Sequence, residues 1–263
     1  MTPTNTPQRT AKEQFDRQAA HYNAQWSRWT EESLAWLLTH AQCQPADVVL
    51  DVATGTGYTA FGFAPHVRQV TGLDVSSGML AEARQRAAQQ DIANVTFIEG
   101  AAESMPFPDG EFDLVTCRIA PHHFLSVPQF LQEVRRVLRP GGRLALADTT
   151  APDDPEVDAW QNMVEALRDP SHVRNYTRTE WERFVAEAGL TIEAMEDAPG
   201  SIPITLNDWL VKAGCTPEQT EEVQRAFAAA PASARSAFHI ETLPNGDIGF
   251  RWQRLAFIAR KAG

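Results

Sequence analysis

Short apolar runs alternate with amphipathic stretches through the middle of the chain. Val48-Val49-Leu50 closes on Asp51, and beyond Gly55 and Gly57 the stretch Tyr58-Thr59-Ala60-Phe61 opens a helical pattern. A second run, 68–73, closes on Asp74; 94–98 and 112–117 are the third and fourth; the fifth, 143–147, closes on Asp148. Apolar runs of this length flanked by glycine predict parallel strands buried on both faces. Between them, 76–90 is alanine-rich and opened by serines, and 127–138 is amphipathic and stopped by Pro140-Gly141-Gly142, so both predict helices. This alternation predicts an α/β fold, a doubly wound Rossmann-like sheet.

The flanks read differently. Helices are expected at 11–21 and 30–41, around Tyr22-Asn23-Ala24-Gln25-Trp26-Ser27-Arg28-Trp29. Aromatics crowded on a polar stretch suit a surface that folds onto something, or anchors that hold these helices, with Trp36, to the core. Beyond Asp148, helices at 157–167 and 178–188 are joined by the linker 168–176, and 190–196 is a sixth strand. A helical insertion covers 206–237. Then 239–243 and 247–259 flank Pro244-Asn245-Gly246, a hairpin turn signal, so the last strand is expected to run antiparallel. The division expected is an N-terminal helical arm or lid, 1–44, and a domain over 45–263 with helical insertions at about 155–188 and 206–237.

The stretch 48–60 carries the first chemistry. Glycine after a strand lets backbone approach a ligand closely, and the helix that follows aims unpaired N–H groups at it. Gly55-Thr56-Gly57-Tyr58-Thr59-Ala60 fits G-x-G-x-x-A, the dinucleotide fingerprint. Asp74 lies 17 residues beyond Gly57, where a carboxylate grips a ribose diol. NAD and S-adenosylmethionine both carry that diol. Asp74 could equally cap the helix that follows.

Composition narrows the class. The chain has 263 residues, 43% of them hydrophobic, which suffices for a large core. Its net charge of -11 argues against a nucleic-acid partner, which needs clustered Lys and Arg. Cys43, Cys117 and Cys215 are far apart, with no C-x-x-C, so neither a disulfide framework nor a metal site is expected. No apolar stretch approaches the length of a membrane span, and residues 1–10 are polar without a signal-like core, so a cytoplasmic location is expected. Nothing in the sequence sets the oligomeric state.

Further motifs bear on the cofactor. Asp51 to Gly57, Gly72-Leu73-Asp74, Glu103-Ser104-Met105-Pro106-Phe107-Pro108-Asp109-Gly110-Glu111-Phe112-Asp113 and Val137-Leu138-Arg139-Pro140-Gly141-Gly142 follow one another in order. Together they resemble the class I S-adenosylmethionine-dependent methyltransferases, of the ubiquinone/menaquinone type, over roughly 44–148 and more weakly over 168–190. The resemblance implies a seven-stranded sheet in the order 3-2-1-4-5-7-6 with strand 7 antiparallel, and S-adenosyl-L-methionine as cofactor. It implies that Asp51 and Gly55 approach the methionine end, and that Ala53 and Gly57 of the same loop are also cofactor-binding. Asp74 would take the ribose hydroxyls, Val75 and Met79 would wall the adenine, Ala102 and Glu103 would sit at its edge, and Arg118 and Ile119 would line the sulfonium end. One position departs: many relatives carry an aspartate where this chain has Ala101.

Pro121-His122-His123-Phe124 follows the fourth strand at the edge of the expected crevice. Neutral imidazole suits proton acceptance near neutrality, so His123, and after it His122, are the candidate catalytic bases. Side chains alternate on extended chain, so one histidine is expected to face inward and the other to be packed or exposed. Tyr22, Arg174 and Tyr176 are candidates for orienting the acceptor. Residues 15–29 and the linker 168–176 are expected to close over the strand ends and favour an apolar or aromatic small-molecule acceptor. A protein or RNA methyltransferase, and a cofactor-binding module without catalysis, are the alternatives.

Overall fold

The computed structural model describes residues 11–18, 31–197 and 203–263. Helices α1 (Ala11–Gln18) and α2 (Glu31–His40) precede β1 (Val48–Val52). There follow α3 (Tyr58–Phe63), β2 (Gln69–Asp74), α4 (Ser77–Gln89), β3 (Val95–Glu99), β4 (Phe112–Arg118), α5 (Val127–Val137) and β5 (Leu138–Ala151). The chain continues through α6 (Pro155–Arg168), the two-residue β6 (Tyr176–Thr177), α7 (Arg178–Glu187) and β7 (Leu190–Asp197). Then come β8 (Ile204–Thr205), α8 (Leu206–Ala213), α9 (Pro217–Ala228), α10 (Ala232–Ala237), β9 (Glu241–Thr242), β10 (Ile248–Phe250) and β11 (Arg254–Lys261).

The main sheet runs β3-β2-β1-β4-β5-β11-β7, with β11 antiparallel to both neighbours and β6 added beside β5. Counting main-sheet strands alone, this is the 3-2-1-4-5-7-6 order expected from the sequence. The order reverses between β1 and β4, the place where ligands of such sheets bind.

Apolar layers cover both faces. One packs Phe130, Leu131 and Val134 of α5 and Trp181 and Phe184 of α7 against the strands; the other packs Leu34 and Leu37 of α2 with Ala60 and Phe63 of α3. A third core joins Trp160 of α6 to Trp209 of α8, Phe227 of α9, Phe238 just after α10, and Phe250 and Trp252.

The C-terminal third departs from the sequence reading in one respect. Residues 247–259 were expected as a single strand after the turn. The hairpin forms, with Ile248 opposite Thr242, but β10 pairs only with β8 and β9 in a separate three-stranded sheet. The chain then breaks: Arg251 N–H donates to Phe238 O at 2.8 Å, and Trp252 turns into the third core before β11 enters the main sheet. The aromatic core outcompetes continuous strand pairing here. The insertion 206–237 resolves into three helices, because Gly214 stops α8 in a left-handed conformation (φ 66°) and Thr216 and Gln219 form a capping box that starts α9.

Candidate active site

The carboxyl ends of β1, β2 and β4 floor a cavity of about 1010 Å3, walled by α1 and the loops that follow these strands. Two of its floor residues hold unusual backbone. Ala53 (φ 54°), just past β1, and Ile119 (φ 53°), just past β4, are left-handed without being glycine, a strain of about 1–3 kcal/mol each that clusters at functional sites. The bends keep backbone groups paired at the strand ends: Thr54 N–H donates to Leu73 O at 3.0 Å and Ile119 N–H to Ala147 O at 2.8 Å.

The glycine loop is tied down from below. Asp51 is 1% exposed, and its two carboxylate oxygens accept the hydroxyls of Thr54 (2.6 Å) and Thr116 (2.7 Å). Burial pushes its carboxyl up to about 6 against the pull of those hydroxyls. Thr54 can fold down because Gly72 lies beside it; a Cβ at 72 would come within 2.8 Å of the Thr54 and Phe97 side chains. Gly57, at φ 86°, starts α3, and a Cβ there would meet the Phe61 ring at 2.6 Å. Neither Asp51 nor Gly57 lines the cavity, although Ala53 to Thr56 between them do. Both shape the loop instead. Gly55 (φ 53°) does line it, and a Cβ there would meet no protein atom within 4 Å.

Asp74, at the end of β2, lines the cavity and spans the loop and the next helix. Gly55 N–H donates to its Oδ2 at 2.8 Å and Ser76 N–H to its Oδ1 at 2.9 Å. Burial raises its carboxyl above the ordinary value against those two bonds. The cap of α4 is Ser76, whose hydroxyl accepts from Met79 N–H at 3.1 Å, so the capping role considered for Asp74 falls to its neighbour. Ala53, Val75, Met79, Ala102, Glu103, Arg118 and Ile119 also line the cavity. Glu103 holds the entrance loop through Leu125 N–H at 2.9 Å. Arg118 donates to Thr59 Oγ1 at 2.9 Å and lies over the Tyr58 ring, which anchors its guanidinium to α3.

The histidines diverge. His122 turns under the sheet end: its Nδ1–H donates to Asp148 Oδ1 at 2.7 Å and its backbone N–H to Asp148 Oδ2 at 3.0 Å. Burial lowers its affinity for a proton, but Asp148 more than compensates, so the ring titrates above its ordinary value. His123 lines the cavity, with its Nδ1 3.1 Å from Ser171 Oγ and 3.2 Å from Ser171 O. Burial, then the neighbouring His122, pull it down to about 4, so it is neutral at physiological pH. The divergence does not come from strand alternation, since Pro121–His123 is a 3-10 turn. It comes from the opposing pulls of Asp148 and Ser171.

Two of the acceptor-orienting candidates, Arg174 and Tyr176, do not line this cavity. Arg174 is held by Asp158 (2.9 Å) and Glu180 (3.2 Å), and Tyr176 packs edge-on against Trp181 and Phe184 in the main core. Tyr22 lies outside the described residues, as do Trp26 and Trp29. From the arm, α1 walls the cavity with Lys12 and Phe15, and the Phe15 ring meets His123 edge-on at 5.0 Å. From the linker, Ser171 and Val173 line it. The partnership of His122 with Asp148 went unread in the sequence, although Asp148 closes its apolar run with a carboxylate as Asp51 and Asp74 do.

A model of the methyltransferase domain matches residues 49–142. The Bacillus subtilis protein described as uncharacterized methyltransferase YcgJ is 34% identical over 232 residues, covering 88% of this chain and 91% of that protein. The chain belongs to the class I methyltransferase family. The crystal structure of YcgJ overlays on this methyltransferase with a TM-score of 0.83, covering 89% of this chain and 99% of that one at 33% identity. The Escherichia coli protein YafE is 37% identical over 186 residues, 70% of this methyltransferase and 88% of that protein. A demethylmenaquinone methyltransferase of Symbiobacterium thermophilum is 37% identical over 153 residues, 54% of this chain and 59% of that protein. Among the described residues no group of side chains is arranged to hold a metal, and no helix is long and apolar enough to cross a membrane.

Proposed function

We propose that this methyltransferase transfers a methyl group from S-adenosylmethionine to a small, largely apolar or aromatic acceptor, with His123 taking the acceptor's proton. The observation that carries this reading is the continuity of one cavity, from Asp74 and the glycine loop at one end to His123 and Phe15 at the other.

The residues present fit the cofactor. Each Asp74 oxygen accepts one backbone N–H, which leaves lone pairs for a ribose diol. Val75, Met79 and Ala102 offer apolar walls to a flat base, and Ala101 provides no carboxylate at its edge, so backbone or Glu103 is left to carry that contact. Gly55 leaves open space where any side chain would intrude. When bound, the cofactor supplies a methyl group on a cationic sulfur that leaves readily.

The chain's own contribution is position, dryness and a proton acceptor. Phe15, Phe124 and Val173 keep water from the wall nearest His123, and holding two reactants in line supplies much of such a rate enhancement. His123 is neutral at physiological pH and accepts a proton at its unprotonated ring nitrogen. The apolar character of this wall favours an apolar acceptor, and the demethylmenaquinone methyltransferase among the relatives is named for an acceptor of that kind.

Titration calorimetry with S-adenosylmethionine and with NAD, followed by turnover against phenols, quinol precursors and amines, tests the reading. Binding of S-adenosylmethionine with turnover of a phenol or quinol supports it. Preference for NAD would overturn the cofactor, and binding without any turnover would leave a cofactor-binding module.

A further inference from the structure

We propose that Asp169 and Ser171 are positioning residues that lock His123 in the tautomer with its hydrogen on Nδ1, leaving Nε2 to take a proton. This rests on the reading of His123 as proton acceptor and extends it to residues on the linker between α6 and β6.

The argument is an inventory of hydrogens. Ser171 has one hydroxyl hydrogen, and a carboxylate can only accept. The hydroxyl donates to Asp169 Oδ1 at 2.7 Å, and Ser171 N–H donates to the same oxygen at 2.9 Å. Ser171 Oγ therefore presents only lone pairs to His123 Nδ1, 3.1 Å away. Ser171 O, 3.2 Å from the same nitrogen, is also an acceptor. With acceptors on both approaches, Nδ1 must carry hydrogen, and the partner of one ring nitrogen sets the state of the other.

The neighbouring rings do not compete for that nitrogen. His122 Nδ1–H is committed to Asp148. His172 Nε2 donates to Asn162 Oδ1 at 3.1 Å, since Asn162 turns its amide nitrogen to Asp158 at 2.7 Å. Ser171 is 3% exposed, so water does not displace it readily.

The linker is also fastened to the turn that bears the histidines. Val173 N–H and Arg174 N–H both donate to His122 O, at 2.8 and 3.1 Å, and His172 N–H donates to Asp169 O at 2.9 Å. Ser171 cannot drift from His123 without breaking these bonds. Burial favours protonation of Asp169, but Arg168 and the two Ser171 bonds favour its charged form and its carboxyl lies below the ordinary value, so at neutral pH the carboxylate is ionised and acceptor-only.

The test is long-range proton–nitrogen NMR on the full chain labelled with nitrogen-15 histidine, using His123→Gln to identify the His123 signals. The wild-type protein near neutral pH is expected to show hydrogen on Nδ1. In Asp169→Asn combined with Ser171→Ala, the form with hydrogen on Nε2 should appear and kcat should fall roughly ten- to a hundredfold, the range for partners that orient a working side chain. KM for S-adenosylmethionine should hold, and Ser171→Thr, which keeps the hydroxyl, should restore the wild-type tautomer. A wild-type spectrum with hydrogen on Nε2 overturns the proposal without any variant, and a double variant with an unchanged tautomer overturns the role of the two side chains, leaving the lock to the backbone carbonyl of residue 171. The spectrum reads the tautomer whether or not an acceptor is methylated. A correct tautomer with no turnover therefore sinks only the functional reading, and turnover with the wrong tautomer sinks only the positioning role.

Discussion

Gly55 N–H donates to Asp74 Oδ2 at 2.8 Å, which joins the loop after β1 to the end of β2. One carboxylate thereby shapes the glycine loop and faces the cavity that the loop borders. Changes at the two residues should separate contact from shape.

Gly55→Val should abolish S-adenosylmethionine binding, because the branched side chain would enter open cavity space from a left-handed backbone. Gly57→Ala should act mainly on stability, by about 1–3 kcal/mol, because its Cβ would meet Phe61 rather than a ligand. Calorimetry and thermal melts on both variants distinguish the two. Wild-type affinity in Gly55→Val would refute the loop's role.

Asp74→Ala should weaken S-adenosylmethionine by about 1–3 kcal/mol, the cost of leaving polar partners unpaired. Part of this arises from the freed Gly55 and Ser76 N–H groups, so the loop should also become more mobile by hydrogen exchange. Unchanged affinity would confine Asp74 to holding the loop.

Asp51 should imprint a pH dependence on stability. Its carboxyl is raised to about 6 in the folded protein, above the ordinary value of 3.8. Its contribution is fully present below pH 3.8 and is lost as pH rises through about 6, amounting to about 3 kcal/mol. Asp51→Asn should flatten the stability curve between those pH values, measured by chemical denaturation. An unaltered slope would mean that Thr54 and Thr116 offset burial completely.

His123→Ala should lower turnover by roughly 10²–10⁴-fold with S-adenosylmethionine affinity intact. The groups that face His123 are His122 on its own turn, Asp148 on β5, and Asp169 and His172 on the linker, with the uncharged Phe15 ring from α1. Burial and then His122 hold its pKa near 4 against the upward pull of Asp169 and Asp148, so the acid limb of the rate profile should lie near pH 4 rather than near 6.5. A wild-type rate in the variant would leave proximity alone to carry the reaction.

Removal of residues 1–18 should cost S-adenosylmethionine affinity as well as turnover. Lys12 binds Val75 O at 2.8 Å and Glu99 at 2.7 Å, and Asp16 accepts from Ser76 Oγ at 2.6 Å, so α1 closes the side of the cavity bordered by Val75 and Met79. Stopped-flow release should be several-fold faster in a truncated protein that remains folded. Full retention of affinity and rate would make α1 a packing element only.

The sheet was legible in the sequence because its signals are local. Apolar runs ending in Asp51, Asp74 and Asp148, with glycine after the first and serine after the second, state strand, turn and helix without help from distant residues. The same locality exposed Gly55 and Asp74 as cavity residues, the one in the turn after the first strand and the other at the end of the second, while Met79 was named by the family resemblance. Tertiary structure decided what depends on residues far apart in the chain. Asp51 was drawn beneath the loop by Thr116, 65 positions away, and Arg174 was taken from the site by Asp158 and Glu180. Two adjacent histidines, alike in sequence, received opposite proton affinities: burial and the neighbouring His122 lower that of His123, while Asp148, which only packing brings beside it, raises that of His122. The break between β10 and β11 has the same origin: a strand-like run yields where the burial of Trp252 in a separate aromatic core is worth more than continuous pairing.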